Sequence, residues 1–178
     1  MVNLEGGGTP ESTWQAWTAP ADWPELPLDT LPARAVVVAP HPDDELLGVG
    51  GLLAGLAATG TPVVVVAVTD GGASHPGSPT LSPERLVEVR TAERLEGLRR
   101  LGLAGAEVVR LGLPDGAVAA NSYELAGELA ELLQADDWVL ATWSGDGHPD
   151  HEATGRAAAA AARVAGPRLL EFPVWTWH

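Results

Sequence analysis

The chain contains no cysteine. This absence excludes disulfide bonds, thiolate metal sites and a cysteine nucleophile, and it leaves histidine, aspartate and glutamate as the strong metal ligands. Basic residues are scarce as well, with 10 Lys and Arg against 24 Asp and Glu, which gives a formal net charge of −14. A surface of this sign repels phosphate backbones and anionic lipids, so we expect neither a nucleic-acid partner nor a membrane partner.

Long apolar runs are also missing. No stretch approaches the roughly 20 apolar residues that a membrane-spanning helix needs. The first residues lack the basic region and apolar core of a signal peptide, so a cytoplasmic location is the default expectation. The chain has 178 residues, of which 46% are hydrophobic, and this is enough for one globular domain with a sizeable core.

What the chain does contain is a regular alternation of short β-branched strands and helical segments. Residues 1–33 are rich in proline, glycine and tryptophan, and we interpret them as an N-terminal arm that packs on the core. Residues 34–178 read as a single α/β domain, with a small-residue helix from Gly48 to Gly60 after the first strand. The alternation predicts a Rossmann-like, mostly parallel sheet with helices on both faces.

Two polar segments follow strands of this predicted sheet. The segment "PHPDDE", residues 40–45, follows strand one, and "HPDH", residues 148–151, comes after strand four. In the usual strand order 3-2-1-4-5 these strands are neighbours, and ligands bind in the crevice outside their carboxyl ends. His41 and Asp44 from the first segment, with His151 from the second, supply the three ligands of a catalytic zinc that keeps an open position for water.

Asp43 lies between two of these ligands in the sequence and is expected to point elsewhere, toward the open position. There it is placed to act as general base on the metal-bound water. The alternative reading is that the acidic residues cap helices, with Asp43 or Asp44 at the first helix and Asp150 at the second. The convergence of both segments at one sheet edge favours the metal site over capping alone.

The paired motifs resemble the signatures of the PIG-L/LmbE-like zinc-dependent N-acetylglucosamine deacetylases. The resemblance covers about residues 33–175, and weaker similarities lie between the motifs, in "RTAERLEGLRRLG" and "LGLPDG". It implies a hydrolase that removes the N-acetyl group from an N-acetylglucosamine-containing small molecule, through a zinc-bound water activated by Asp43. A His₂Asp set also suits ferrous iron.

The resemblance implies the same three metal ligands and adds four further roles. His148 matches a histidine that faces the developing oxyanion as a cation, or that protonates the leaving amine. Asp150 matches the carboxylate that orients His148. Arg90 and Asp115 match positions that bind substrate.

Two further charged side chains have expected positions outside the metal set. Glu45 follows the ligands directly, and we interpret it as a residue that orients a ligand or accepts a backbone N–H. Arg94 lies near the middle of an apolar helix stripe, so it is expected to pair internally or to extend along the surface.

Two other functions were weighed. A metal-dependent phosphoester hydrolase is disfavoured because the chain lacks a glycine-rich phosphate loop and clustered Lys or Arg near the motifs. A non-catalytic carbohydrate-binding domain is disfavoured because Asp43, His148 and the metal set are intact. The sequence leaves open the substrate's aglycone and acyl group, zinc against iron, and a homo-oligomeric assembly. Members of the resembled family usually continue past this point, so an end at His178 fits a C-terminally short chain.

Overall fold

The computed structural model describes residues 8–17, 25–26 and 28–177. Within these ranges the chain alternates between strands and helices, as the sequence predicts. The elements are α1 Glu11–Ala16, β1 Arg34–Ala39, α2 Asp44–Ala58, β2 Val63–Thr69, α3 Pro83–Arg100, β3 Glu107–Leu113, α4 Ser122–Leu132, β4 Asp137–Thr142, α5 Pro149–Ala165 and β5 Arg168–Phe172, with short 3₁₀ turns at Val118–Asn121 and Trp175–Trp177.

The five strands form one parallel sheet in the order β3-β2-β1-β4-β5. Strand β1 is central, and its Val37 pairs with Val65 on one side and Leu140 on the other. β-Branched residues suit strands that are covered on both faces, and every residue of β2 is buried. The predicted fold class and strand order are confirmed.

Helices cover both faces of the sheet because alternate residues of β1 enter two separate cores. Val36 and Val38 pack with Leu125 of α4 and with the alanines of α5. Ala35 and Val37 face the opposite core, which contains side chains of α2 and α3 such as Leu53 and Leu98. Each core removes apolar surface from water at about 25 cal/mol per Å², so the sheet is stabilised from both sides.

Helix α2 begins earlier than its glycine-rich sequence indicates. We expected the helix from Gly48, but it starts at Asp44, since the carbonyl oxygen of Asp43 already accepts from the N–H groups of Leu46 and Leu47. Gly48 lies inside the helix, where a Cβ would overlap the ring of Phe172. The helix therefore starts at the end of the motif, and Gly48 allows close packing against Phe172.

The described part of the N-terminal arm is short. Helix α1 has no buried residue, whereas Glu25 and Leu26 line a groove together with residues of α2 and β5. Residues 1–7, 18–24 and 27 of the predicted arm lie outside the described residues. In the part of the chain that the structure covers, no helix combines the length and apolarity needed to cross a membrane.

Candidate metal centre

Three donor atoms form a nearly equilateral triangle between the ends of β1 and β4. Nδ1 of His41 lies 3.1 Å from Nε2 of His151, and Oδ2 of Asp44 lies 3.3 Å from each of these nitrogens. Ligand atoms bound about 2.0–2.1 Å from a tetrahedral zinc are about 3.3–3.4 Å apart. All three side chains are buried. The residues present therefore fit a single metal ion.

The first two candidate ligands, His41 and Asp44, come from the tight turn between β1 and α2. His41 follows the strand, and Asp44 is the first residue of the helix. The backbone N–H of His41 donates to Oδ2 of Asp44 at 2.8 Å, so the turn itself orients the carboxylate. This spacing of three residues at a strand-to-helix turn brings both side chains to the same point.

The third candidate ligand, His151, lies in the first turn of α5. The carbonyl oxygen of His151 accepts from Oγ1 of Thr142, at the end of β4, at 3.0 Å. One turn further along, a Cβ at Gly155 would overlap the carbonyl oxygen of Thr142. Glycine at this position lets α5 approach the strand end closely enough to place His151 in the triangle.

Carboxylates hold the outer nitrogen of each histidine ligand. Nε2 of His41 lies 3.3 Å from Asp115 and 3.3 Å from Asp150. Nδ1 of His151 lies 2.8 Å from Oδ2 of Asp146. A carboxylate on the outer ring nitrogen fixes the tautomer and the ring orientation of a metal-binding histidine. The inner nitrogens are thereby left as electron-pair donors.

The electrostatics of the triangle follow from its carboxylates. Burial alone would lower the pKa of His41, but the hydrogen bonds to Asp115, Asp150 and Asp44 outweigh it and raise the pKa to about 11. Burial would raise the pKa of Asp44, but hydrogen bonds to His151 and His41 hold it far below its usual range. The site therefore strongly favours a positive charge at its centre.

Two other groups of three donors overlap this triangle. His148 with His41 and His151 is one, and His41 with Asp115 and Asp150 is the other. Both share His41, so the metal-binding capacity lies in one place. We favour the Asp44-containing triangle because its three atoms have ligand spacing and its outer nitrogens already have carboxylate partners.

Asp43 adopts a strained backbone beside the triangle. Its φ is 140° and its ψ is −23°, and among the described residues it is the non-glycine residue with positive φ. Such a conformation costs on the order of 1–3 kcal/mol and persists where neighbours enforce it. Its side chain makes no helix-capping hydrogen bond and is half exposed. Burial and then the Asp44 charge raise the pKa of Asp43, against the opposing effect of Arg90.

Arg90 reaches from α3 to the turn that carries Asp43. Its guanidinium donates to the carbonyl oxygens of Gly71 at 3.2 Å and of Pro42 at 3.1 Å, and it lies 3.3 Å from Oδ2 of Asp43. Gly71 has a φ of 69°, and a Cβ there would overlap both Arg90 and Pro42. Arg90 thus connects the turns after β1 and β2. Its role toward substrate stays a prediction.

Arg94 and Glu45 form a buried ion pair behind the same turn. The exposed fractions of their side chains are 3% and 0%, and Nε of Arg94 lies 2.8 Å from Oε1 of Glu45. Arg94 also donates to the carbonyl oxygen of His41 at 2.8 Å, and the N–H of Asp43 donates to Glu45 at 3.4 Å. The internal pairing expected for Arg94 and the supporting position expected for Glu45 are both present.

His148 lies over the triangle as the N-cap residue of α5. Its ring centroid is 4.9 Å from that of His41 and 4.7 Å from that of His151. Its Nδ1 accepts from the backbone N–H of Asp150 at 3.2 Å, which places the proton of the neutral ring on Nε2. The ring of Trp175 stacks on that of His148, with the two ring centroids 6.1 Å apart.

The Asp150 carboxylate differs from its predicted role. We expected it to orient His148, but it accepts from the N–H groups of Gly116 at 2.7 Å and Val118 at 3.2 Å and lies against His41. The first turn of α5 directs this side chain toward the β3–α4 loop, so it is the backbone of Asp150 that contacts His148. Burial, and then the charges of His151 and His41, lower the pKa of His148, which favours a neutral ring over the expected cation.

Asp115 and Asp146 show what the sequence analysis missed. Asp115 was expected to face substrate, yet one oxygen lies 3.3 Å from His41 and the other accepts from the N–H of Ala73 at 2.8 Å. Asp146 received no role, although it holds His151. Its position two residues before "HPDH" was the available signal, but such an aspartate is equally typical of a loop turn.

Comparisons with known proteins show which family this chain resembles in sequence and in fold. The family model described as PIG-L, GlcNAc-PI de-N-acetylase, matches residues 36–162. A 1D-myo-inositol 2-acetamido-2-deoxy-alpha-D-glucopyranoside deacetylase of Kineococcus radiotolerans is 31% identical over 80% of this chain and 49% of its own length. The chain therefore spans about half the length of this curated relative.

Solved structures of the same kind superpose on the sheet and its helices. An N,N'-diacetylchitobiose deacetylase from Pyrococcus horikoshii has a TM-score of 0.64 and 28% identity, and the match covers 74% of this chain and 50% of that one. A deacetylase of the A40926 pseudoaglycone, an antimicrobial compound, has a TM-score of 0.62 and 30% identity, covering 82% of this chain and 66% of its own.

Proposed function

This chain belongs to the PIG-L family, and from that membership we propose that it is a metal-dependent hydrolase of N-acetylglucosamine-containing small molecules, removing their N-acetyl group. The relatives named above are deacetylases of acetamido sugars or of the A40926 pseudoaglycone. One observation carries the proposal: a buried His₂Asp triangle at ligand spacing lies beside the half-exposed carboxylate of Asp43.

His41, Asp44 and His151 are the proposed metal ligands, and zinc is the proposed ion. Zinc is supported by the tetrahedral spacing of the three donor atoms, although a His₂Asp set also binds ferrous iron. When bound, such an ion lowers the pKa of a coordinated water to about 7 and polarises the acyl carbonyl. The chain's own residues must then move protons and stabilise charge.

Asp43 is the proposed general base. Its carboxylate is half exposed and borders Asp44, so it can meet both water and substrate. Arg90 holds Oδ2, which leaves Oδ1 as the proposed acceptor of the proton from the attacking water. The raised pKa makes Asp43 a stronger base than an ordinary aspartate. The strained backbone fixes this carboxylate next to the metal ligands.

His148 is the proposed donor to the developing oxyanion. With Nδ1 occupied by the Asp150 N–H, the Nε2–H of the neutral ring is available to the acyl oxygen in the tetrahedral state. Removing one such donor typically costs about 100- to 1,000-fold in rate. Protonated Asp43 then supplies the proton to the leaving amine, or His148 does so where its ring is cationic, because a neutral imidazole is too weak an acid for this step.

Arg90 and Asp115 keep their predicted substrate roles as proposals. In the structure both already hold parts of the site, Arg90 through Asp43 and Asp115 through His41. A substrate hydroxyl that binds Arg90 or Asp115 would therefore directly affect the position of the Asp43 carboxylate or of the His41 ring. This connection offers a physical route from sugar binding to correct placement of the reacting groups.

The test is release of free amine by zinc-loaded protein from N-acetylglucosaminyl inositol and N,N'-diacetylchitobiose, with Asp43→Asn as the inactive control. We expect turnover by the wild type and loss in the variant, with equal zinc content. Sugar binding without amine release would instead identify a non-catalytic carbohydrate-binding domain. Phosphate release from phosphomonoesters would favour a phosphoester hydrolase.

A further inference from the structure

Asp146 accepts an unusual number of hydrogen bonds for one buried carboxylate. Oδ2 accepts from Nδ1 of His151 at 2.8 Å and from the N–H of Trp175 at 3.0 Å. Oδ1 accepts from the N–H of Val174 at 2.8 Å, and from the N–H and Oγ1 of Thr176 at 3.1 and 2.9 Å. The carboxylate thus joins a metal ligand to the turn that follows β5.

Every partner of this carboxylate is a hydrogen-bond donor. The backbone and hydroxyl groups donate by their chemistry, and His151 must carry its proton on Nδ1 if Nε2 is to bind a metal. An asparagine in place of Asp146 would have only one acceptor oxygen. Its NH₂ group would have to face either His151 or the turn, so that two hydrogen-bond donors would oppose each other and a hydrogen bond would be lost.

We propose that Asp146 is the positioning residue of the metal centre, which fixes the ring of His151 and makes the Val174–Thr176 turn part of the metal site. The proposal rests on the metal set of the proposed function. It goes beyond that function because it assigns to a segment remote from both motifs a direct effect on metal affinity. The hydroxyl of Thr176 and the three backbone N–H groups keep the carboxylate aimed at His151.

The first test compares metal affinity in two matched variants. In Asp146→Asn the apparent Kd for Zn²⁺, measured by chelator competition without substrate, is expected to rise about 10- to 100-fold. Asp137→Asn is the control because Asp137 is also a buried carboxylate whose two oxygens accept hydrogen bonds, from Arg34 and from the N–H of Gln134. It lies away from the three proposed metal ligands. Equal affinity in Asp146→Asn and wild type would overturn the proposal, as would an equal loss in Asp137→Asn.

The second test needs no substitution, so it stands even if Asp146→Asn does not fold. Long-range ¹H–¹⁵N spectra of zinc-loaded wild-type protein report which ring nitrogen of each histidine carries a proton. We expect His151 to be protonated on Nδ1 and to protect that proton from exchange. An unprotonated Nδ1, or a rapidly exchanging one, contradicts the assignment.

A third variant separates the turn from the carboxylate. Thr176→Val removes the hydroxyl contact and keeps the backbone N–H, so the apparent Kd for Zn²⁺ is expected to rise only a few-fold. A wild-type Kd would show that Asp146 acts without help from the Thr176 hydroxyl and would overturn that part of the proposal. Because these readouts need no substrate, they can fail or succeed independently of deacetylation.

Discussion

One fully buried and one partly buried arginine–carboxylate pair lie at opposite ends of the strands, here called the carboxyl edge and the amino edge of the sheet, and they have different consequences. At the amino edge, Arg34 makes a two-pronged pair with Asp137, at 2.9 and 2.6 Å, and also donates to the carbonyl oxygen of Leu132. At the carboxyl edge, Arg94 pairs with Glu45 and donates to the carbonyl oxygen of His41. The chemistry is the same, but one pair connects β1 to the end of α4, and the other holds His41, a proposed metal ligand.

The carboxyl-edge pair is also the more costly one to bury. Burial raises the pKa of Glu45, and the attraction of Arg94 does not fully reverse this effect. Arg34, by contrast, keeps 23% of its side chain exposed. A fully buried pair is weak evidence for stability because desolvation can exceed the Coulombic gain. We infer that the Arg94–Glu45 pair is there to hold the strained turn around Asp43.

The largest difference between the two edges is expected from loss of a metal ligand. His151→Ala removes one corner of the triangle, so the variant should lose bound metal and at least about 1,000-fold of its activity, since the ion supplies several kcal/mol. Asp137→Ala should keep metal and activity in the folded fraction. Metal content after dialysis and amine release decide between the two. Retained metal in His151→Ala would mean that another of the overlapping donor groups is the site.

The base can be removed without disturbing the metal. Asp43→Asn keeps the shape of the turn but cannot accept a proton, so activity should fall about 100- to 10,000-fold while zinc content stays at the wild-type level. The measurement is amine release per bound zinc. Wild-type turnover in this variant would show that the proton is taken elsewhere.

The arginine pairs themselves give the sharpest contrast. Arg94→Met strands the buried Glu45 and should lower the free energy of unfolding by about 3–5 kcal/mol, with activity lost even in the folded fraction. Arg34→Met should cost about 1–3 kcal/mol and leave specific activity near wild type. Urea unfolding and amine release measured on the same samples separate these effects.

A double variant extends this comparison. In Arg94→Met with Glu45→Met, apolar packing replaces the ion pair, so much of the lost stability should return. Activity should not return, because nothing then holds the carbonyl oxygen of His41. Recovery of both stability and activity would show that the pair serves stability alone.

The convergence of the two motifs was predictable because the order of parallel strands decides which loops meet. Once β1 and β4 are neighbours, "PHPDDE" and "HPDH" must share one edge of the sheet. His41, Asp44 and His151 then come together through short local connections, a tight turn and the first turn of a helix. Local geometry of this kind can be derived from spacing.

Contacts that depend on a third segment were not predictable. The orientation of the Asp150 carboxylate is set by hydrogen bonds from the N–H groups of Gly116 and Val118. That of Asp146 is set by the N–H groups of the turn after β5. No periodicity marks these backbone groups as partners, since they lie more than 25 residues away in irregular structure. The start of α2 at Asp44 was missed for a related reason: Gly48 lies inside the helix against Phe172, and propensity alone does not reveal that contact.

The smallest effect is expected where the same chemistry lies on the surface. Glu96 pairs with Arg99 and Arg100 on the outer side of α3, and these hydrogen bonds lower the pKa of Glu96 to about 2. A lowered pKa means that the contribution to stability is present above about pH 4.5 and is lost as the pH falls toward 2. Solvent and salt screen an exposed pair, so Glu96→Gln should barely change urea unfolding at pH 7, and the difference from wild type should vanish on acidification. A large loss of unfolding free energy in Glu96→Gln at neutral pH would show that burial does not determine how much the arginine–carboxylate pairs of this protein contribute to stability.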